Sequence, residues 1–330
     1  VASRVQTNIG RRRFRKSLLA WYDLHRRDLP WRASRDPYRV WLSEIMLQQT
    51  RVAAVIAHYQ EFLRRFPTVE KLAAAREASV LAAWSGLGYY RRARMMHAAA
   101  KVIIRELAGE FPVTEEGLRT LPGIGRYTAA AIASIAFDQP VAVVDGNVER
   151  VLQRISGKRL AGEELWKAAN YLLDAKRPGD FNQAMMELGA VVCTPRAPAC
   201  LTCPVIELCA TRGELARTGK AVPQKKREIH YSLHYRNGAG RQCEVFLVQR
   251  PRNASLMAGM WELPELTGRN GAAIPLFTLR HSITLTDYAV RVWRETHQSR
   301  LGGKWIPTTR LPQVALTGLA RKILRKAQVL

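Results

Sequence analysis

Two carboxylic acids occupy sequence settings suited to acid–base work on a glycosidic bond. Glu44 lies in Val40-Trp41-Leu42-Ser43-Glu44-Ile45-Met46-Leu47, an otherwise apolar stretch with helical periodicity. An acid flanked in this way either faces solvent at a helix boundary or is partly desolvated. Desolvation keeps a carboxyl protonated near neutral pH, ready to give its proton to a leaving group. Asp145 closes the apolar run Val141-Ala142-Val143-Val144 and precedes Gly146-Asn147-Val148. It suits a helix N-cap, and its carboxylate equally suits a developing cation; the two uses can coexist. Two carboxyl groups in unequal environments can divide the labour of glycoside cleavage, one as acid and the other stabilising or trapping the oxocarbenium-like centre.

A third feature is Leu121-Pro122-Gly123-Ile124-Gly125-Arg126-Tyr127-Thr128. Gly123 and Gly125 permit a tight turn whose N–H groups, at the start of a helix, can seat one backbone phosphate of DNA. A plain glycine turn between helices is the alternative. A fourth is Cys193, Cys200, Cys203 and Cys209, spaced C-x6-C-x2-C-x5-C. Disulfides are disfavoured, because a chain of this length needs no staples and nothing marks it for export. Zinc usually takes two close C-x2-4-C pairs, and only one is present, so the spacing favours a [4Fe-4S] cluster with a structural role. Cys243 stands apart and is read as a small buried hydrophobe.

The elements that must position these residues are mostly helices. Apolar positions recur at three and four over 14–27, 38–66, 77–84, 91–106, 127–137, 146–156, 163–173 and 181–189. The period lapses between Thr211 and Glu228, and segments 230–235, 244–249 and 288–293 then read as strands, with a closing helix over 314–326. The expected organisation is a helical domain over 1–216 with hairpin 121–127 and cysteine loop 193–209, a linker over 217–228, and an α+β domain over 229–330. The 330 residues carry 52 Lys plus Arg against 27 Asp plus Glu, a net charge of +25. Such a surplus repels itself unless a polyanion neutralises part of it, and nucleic acid is the obvious one. No apolar run approaches the roughly 18 residues of a membrane span, and the start lacks the apolar core of a secretory signal.

Taken in this order and spacing, residues 43–50, the 121–127 hairpin, Val144-Asp145-Gly146-Asn147 and the four-cysteine loop resemble the helix-hairpin-helix base-excision DNA glycosylases that carry an iron–sulfur cluster, most closely their adenine-removing MutY branch. The resemblance covers about residues 14 to 330. It implies an all-α glycosylase domain with a [4Fe-4S] loop, followed by an α+β Nudix-like domain. The implied substrate is double-stranded DNA holding adenine opposite 8-oxoguanine or guanine, the products are free adenine and an abasic site, and the protein acts as a monomer without a membrane. Glu44 would protonate N7 of the flipped base and later activate water. Asp145 would stabilise C1′ and attack it transiently, with Tyr127 and Asn147 orienting Asp145. Trp31, Arg32 and Glu187 resemble adenine-pocket residues, and the Gln48-Gln49-Thr50 run resembles that of the monofunctional branch. Gln49 and Tyr89, with Leu87 beside the latter, resemble residues pushed into the duplex. Arg91, Arg92 and Arg94 suit either a phosphate patch or an ordinary helix exterior. The missing long basic extension points to a bacterial cytoplasmic protein beside the nucleoid.

The second domain carries Leu256 to Pro264 as its mark of the Nudix-like fold. The glutamate run that a pyrophosphate hydrolase needs is replaced by Gly268-Arg269-Asn270-Gly271. The family reads 8-oxoguanine with a Phe-Ser-His hairpin; here Ile283, Thr284 and Leu285 occupy it, leaving Thr284 to bond the N7–H of the lesion. Two other functions compete. A strand-nicking glycosylase/lyase of the endonuclease III type needs a lysine where this chain has Tyr127, and a non-catalytic DNA-binding iron–sulfur protein would turn both acids to solvent.

Overall fold

The computed structural model describes residues 7–215, 225–237, 243–266, 274–283, 286–295 and 302–330. The chain forms two compact units. One comprises residues up to Gln60, Thr68–Glu70 and Ala98–Thr218; the other comprises Glu61–Pro67, Lys71–His97 and Gly219–Leu330.

The first unit is helical. Thr7 caps α1 (Asn8–His25), which buries Phe14, Leu18, Leu19 and Tyr22. After a 3-10 turn at Pro30–Arg32, Asp36 caps α2 (Pro37–Leu47), accepting from the Arg39 N–H at 2.8 Å. Residues of α2 from Tyr38 to Met46 are buried except Arg39, the mark of a helix surrounded by others. The periodicity expected to run unbroken over 38–66 is interrupted: α3 (Val52–Arg65) is a separate helix, and Gln49 between the two has φ 54. Four consecutive polar residues, Gln48 to Arg51, carry this break, with no Gly or Pro to announce it.

There follow α4 (Val69–Ala74), α5 (Glu77–Trp84), α6 (Arg91–Glu106) and the short α7 (Glu115–Arg119), of which α5 and the start of α6 belong to the second unit. In the hairpin, Leu121 and Ile124 are buried while Gly123, at φ 77, and Gly125 are exposed. It leads into α8 (Arg126–Phe137), then α9 (Gly146–Ser156), α10 (Glu163–Leu172) and α11 (Pro178–Val191). Helices α9 and α11 cross closely. A Cβ on Gly189 would lie 2.6 Å from the Cβ of Asn147, so only glycine admits this approach.

The cysteine loop corrects the expected cofactor. Among the described residues no three His, Cys, Asp or Glu side chains are grouped so as to hold a metal ion. Cys193, Cys200, Cys203 and Cys209 are therefore not a ligand set here, and the [4Fe-4S] loop in the expected fold, with the iron–sulfur and metal-binding character it implied, is withdrawn. Protein groups hold the loop instead. Buried Arg154 donates to the Thr194 carbonyl at 2.7 Å and to the Cys193 Sγ at 3.3 Å, while the Cys209 thiol donates to the Arg154 carbonyl at 3.3 Å. Burial pushes the Cys203 thiol up to about 11. Spacing alone could not reveal that a buried arginine anchors the loop.

The second unit includes the α+β part. β1 (Lys225–Leu233) pairs in parallel with β6 (Thr286–Arg294), which pairs antiparallel with β5 (Phe277–Ile283). In the other sheet β3 (Cys243–Gln249) pairs antiparallel with β2 (Tyr235–Asn237), β4 (Trp261–Glu262) and β7 (Gly303–Pro307). Leu233, Val245, Leu247, Val290 and Val292 meet Leu319, Ile323 and Leu324 of α12 (Gly318–Lys326) in one core. Residues 225–228, read as linker, open β1. The rest of that linker from 217, the 268–271 run, Thr284 and Leu285 lie outside the described residues. No helix among the described residues is long and apolar enough to cross a membrane.

Candidate active site

A cavity of about 550 Å³ opens in the helical unit, and both carboxyl groups reach it. Glu44 enters from α2 and is only 6% exposed. Burial pushes its carboxyl up to about 7, against the opposing effect of a hydrogen bond from Tyr127; the nearby charge of Asp145 adds to the rise. The Tyr127 hydroxyl, at the start of α8, donates to Glu44 Oε2 at 2.6 Å and lies 3.3 Å from Met186 Sδ. Burial and the two acids together raise the phenol's own pKa well above its ordinary value, so it remains a donor.

Asp145 is the N-cap of α9 and lines the cavity at the same time. Its Oδ1 accepts from the Asn147 N–H at 2.9 Å and the Val148 N–H at 2.7 Å, and its Oδ2 accepts from the Asn147 side-chain amide at 2.9 Å. Asn147 is fixed in turn: Arg150 donates to its Oδ1 at 2.8 Å and to the Gly189 carbonyl at 2.6 Å. The acid expected to serve as cap and that expected to face a pocket are thus one group. Tyr127 holds Glu44, not Asp145 as the resemblance implied.

A charged wall completes the cavity. Glu187 on α11 is 1% exposed and accepts from Arg27 at 2.6 and 2.8 Å and from Arg32 at 2.8 Å. Burial alone would raise its carboxyl, but the hydrogen bonds from these two guanidinium groups bring it down to about 2. Trp31, buried, packs edge-on to Tyr59 with ring centroids 5.6 Å apart. Trp31, Arg32, Gln48, Gln49, Thr50 and Glu187 all line the cavity, and the Gln48 amide donates to the Thr128 hydroxyl at 3.2 Å.

Other expected site residues lie elsewhere. Gly123 and Gly125 form the exposed tip ahead of α8. Leu87 is buried and Tyr89 is 48% exposed, both in the second compact unit. Ile283 ends β5, and its neighbours Thr284 and Leu285 are undescribed. Arg27, Gln183 and Met186 in the lining and Arg150 behind Asn147 were not expected from the sequence. Positions 183, 186, 187 and 190 repeat at three and four, so one face of α11 would have revealed the first two of its own residues once Glu187 was chosen.

Residues 42–169 match the model of the HhH-GPD superfamily base excision DNA repair proteins. The adenine DNA glycosylase of Homo sapiens is 40% identical over 316 residues, covering 77% of this chain and 57% of its own length. That of Schizosaccharomyces pombe is 34% identical over 325 residues, covering 79% of this chain and 70% of its own. A solved thermostable thymine-DNA glycosylase is similar with a TM-score of 0.59 at 31% identity, over 62% of this chain and 97% of that one. The chain spans less than two thirds of the length of the human relative.

Proposed function

This chain belongs to the adenine DNA glycosylase family, and from that premise we propose that it removes adenine mispaired with 8-oxoguanine or guanine from duplex DNA, leaving an abasic site. The observation that carries the proposal is the pairing of a buried carboxyl held near neutrality with a fixed, hydrogen-bonded one in a single cavity. Adenine extruded from the stack enters that cavity. Glu44, protonated below about 7, gives its proton to N7 so that the base leaves uncharged. Asp145, its oxygens aimed by Asn147 and the first turn of α9, stabilises the positive charge developing at C1′ and then bonds to it transiently. Glu44, now ionised, takes a proton from the water that releases the sugar.

Tyr127 offers no amine, so a Schiff base with the sugar and the strand cleavage that follows from one are disfavoured. Glu187 with Arg27 and Arg32 gives the cavity wall a rigid set of donors and acceptors for a purine edge. Gln49 and Tyr89 are assigned to the duplex, Leu87 to the support of Tyr89, and the exposed glycines of the hairpin to one phosphate. Thr284 is assigned to the lesion. A bacterial cytoplasmic location beside the nucleoid and action as a monomer complete the proposal, resting on the resemblance and on the charge of +25.

A single-turnover assay on duplex with 8-oxoguanine opposite adenine, developed with and without alkali, tests this. Adenine release with strand breakage only after alkali is expected. Breakage without alkali would assign the lyase activity instead, and full release by Glu44→Gln would remove the proposed acid.

A further inference from the structure

The segment between α5 and α6 has a backbone that ordinary residues avoid. Gly86 has φ 113, Gly88 has φ 71 and Tyr89, which carries a side chain, has φ 48. Residues keep such conformations only where surrounding contacts over-determine them, and here the contacts are specific. The Trp84 indole N–H donates to the Gly88 carbonyl at 3.2 Å. One nitrogen of Arg92 donates to the carbonyls of both Leu87 and Gly88, each at 3.3 Å. The same guanidinium lies 5.5 Å from the Trp84 ring centroid and 5.4 Å from that of Tyr89. Beyond both ends of the loop, the Ser85 hydroxyl at 2.8 Å and the Tyr90 hydroxyl at 3.0 Å donate to one acceptor, the carbonyl of Leu316 just before α12.

A half-exposed aromatic ring is therefore backed by a cation, with the loop carbonyls tied down. We propose that Arg92 is the positioning residue that presents Tyr89 to a base stack, in a loop whose two ends are fixed on the Leu316 carbonyl. The proposal rests on the glycosylase reading, since it takes the partner of Tyr89 to be duplex DNA. A guanidinium can bond two carbonyls through one nitrogen while its delocalised charge faces two rings, an arrangement that the compact ammonium of lysine reproduces only in part. Rigid presentation matters because a ring whose plane is already set pays less ordering entropy when it replaces lost stacking. Arg92 is thus neither a phosphate contact nor mere helix exterior.

The test places 2-aminopurine beside 8-oxoguanine in a duplex and follows its fluorescence at saturating protein, since unstacking raises the signal. The full chain should give a clear rise, and Glu44→Gln should keep it. Arg92→Met should lose most of the rise, and the double variant with Tyr89→Ala should match Tyr89→Ala alone, because residues acting through one another do not add. If Arg92→Met does not fold, Arg92→Lys, which retains the charge and the stem, should keep the melting temperature and lose part of the rise. A full rise in the folded Arg92 variant, or no rise in the wild-type protein bound to the duplex, overturns the assignment. Adenine release by the same wild-type preparation is scored separately; its failure would count against the proposed function alone.

Discussion

The phenol of Tyr127 donates to Oε2 of Glu44 over 2.6 Å, joining the end of the hairpin to the buried acid of α2. Burial raises the carboxyl, while this bond stabilises its ionised form and limits the rise to about 7. The phenol therefore tunes the proton donor. Tyr127→Phe removes the restraint, so Glu44 should hold its proton to higher pH. The pH at which single-turnover release falls to half should move up by roughly one unit, the scale of a single hydrogen bond to a charged group. A pH–rate profile of the variant with an unmoved upper limb would show that Tyr127 acts elsewhere.

Glu44 also sets a cost in stability. Its folded pKa of about 7 lies above the ordinary 4.5, so between these values the folded state holds a proton that the unfolded state has released. Stability consequently falls as pH rises through that window. Glu44→Gln removes the ionisation. The variant should release no adenine, bind duplex as before, and exceed the wild type at pH 8 by up to roughly 3 kcal/mol, a margin that fades below pH 5. Urea unfolding at both pH values measures it, and an equal margin at the two would contradict a buried, titrating acid.

Asp145 combines a cap with a charge, and the two can be separated. Asparagine is an equally good N-cap, so Asp145→Asn should change stability by no more than about 1 kcal/mol. The charge facing C1′ is lost, and release should slow by on the order of a thousandfold. Thermal melting together with single-turnover rates decides between the roles. A slow variant that is also badly destabilised would mean the carboxylate serves the helix first.

The ion pairs of Glu187 give the opposite dependence on pH. Its carboxyl is held at about 2 by Arg27 and Arg32 despite burial, so the stabilisation is full above its ordinary pKa and is lost as pH falls from about 4.5 towards 2. Glu187→Gln should cost roughly 1 to 3 kcal/mol at pH 7, since it leaves two half-buried guanidinium groups poorly matched. Its deficit against the wild type should shrink in the acid range. Denaturant midpoints at pH 7 and pH 3 provide the comparison, and a constant deficit would place the cost in packing.

What the sequence made legible follows from range. The apolar setting of Glu44 and the run ahead of Asp145 are local, and local signals announced both acids and the helices carrying them. The break after Leu47 was not legible, because Gln49 adopts φ 54 without being glycine, and only the surrounding fold can hold it there. β7 escaped because it is only five residues long and pairs with β3, more than fifty residues earlier, and β5 because its run Phe277-Thr278-Leu279-Arg280-His281-Ser282 carries charge and a histidine among its alternating positions. The cysteine spacing misled for a related reason: Arg154, some forty residues earlier, holds Thr194 and Cys193, and a pairing at that distance leaves no periodic trace. The family resemblance, not the residue pattern, put Tyr127 beside an acid, and which acid it meets depended on how α8 meets α2.

The close crossing of α9 and α11 supplies the last prediction. A Cβ on Gly189 would stand 2.6 Å from the Asn147 Cβ and 2.9 Å from its carbonyl oxygen, distances no real Cβ tolerates. One of the two helices must give way, and α9 carries Asp145 at its head with Asn147 in its first turn. The Gly189 carbonyl also receives Arg150, which fixes the Asn147 amide. Gly189→Ala should therefore destabilise the protein by about 1 to 3 kcal/mol, as overpacking does. It should also slow release, since a shift of about 1 Å in a catalytic group costs on the order of a hundredfold. Duplex affinity should be unchanged, because neither residue belongs to the assigned duplex contacts. Measuring rate and affinity on the folded variant separates the effects, and a variant that unfolds more easily yet cleaves at the wild-type rate would free the crossing from any part in aligning Asp145.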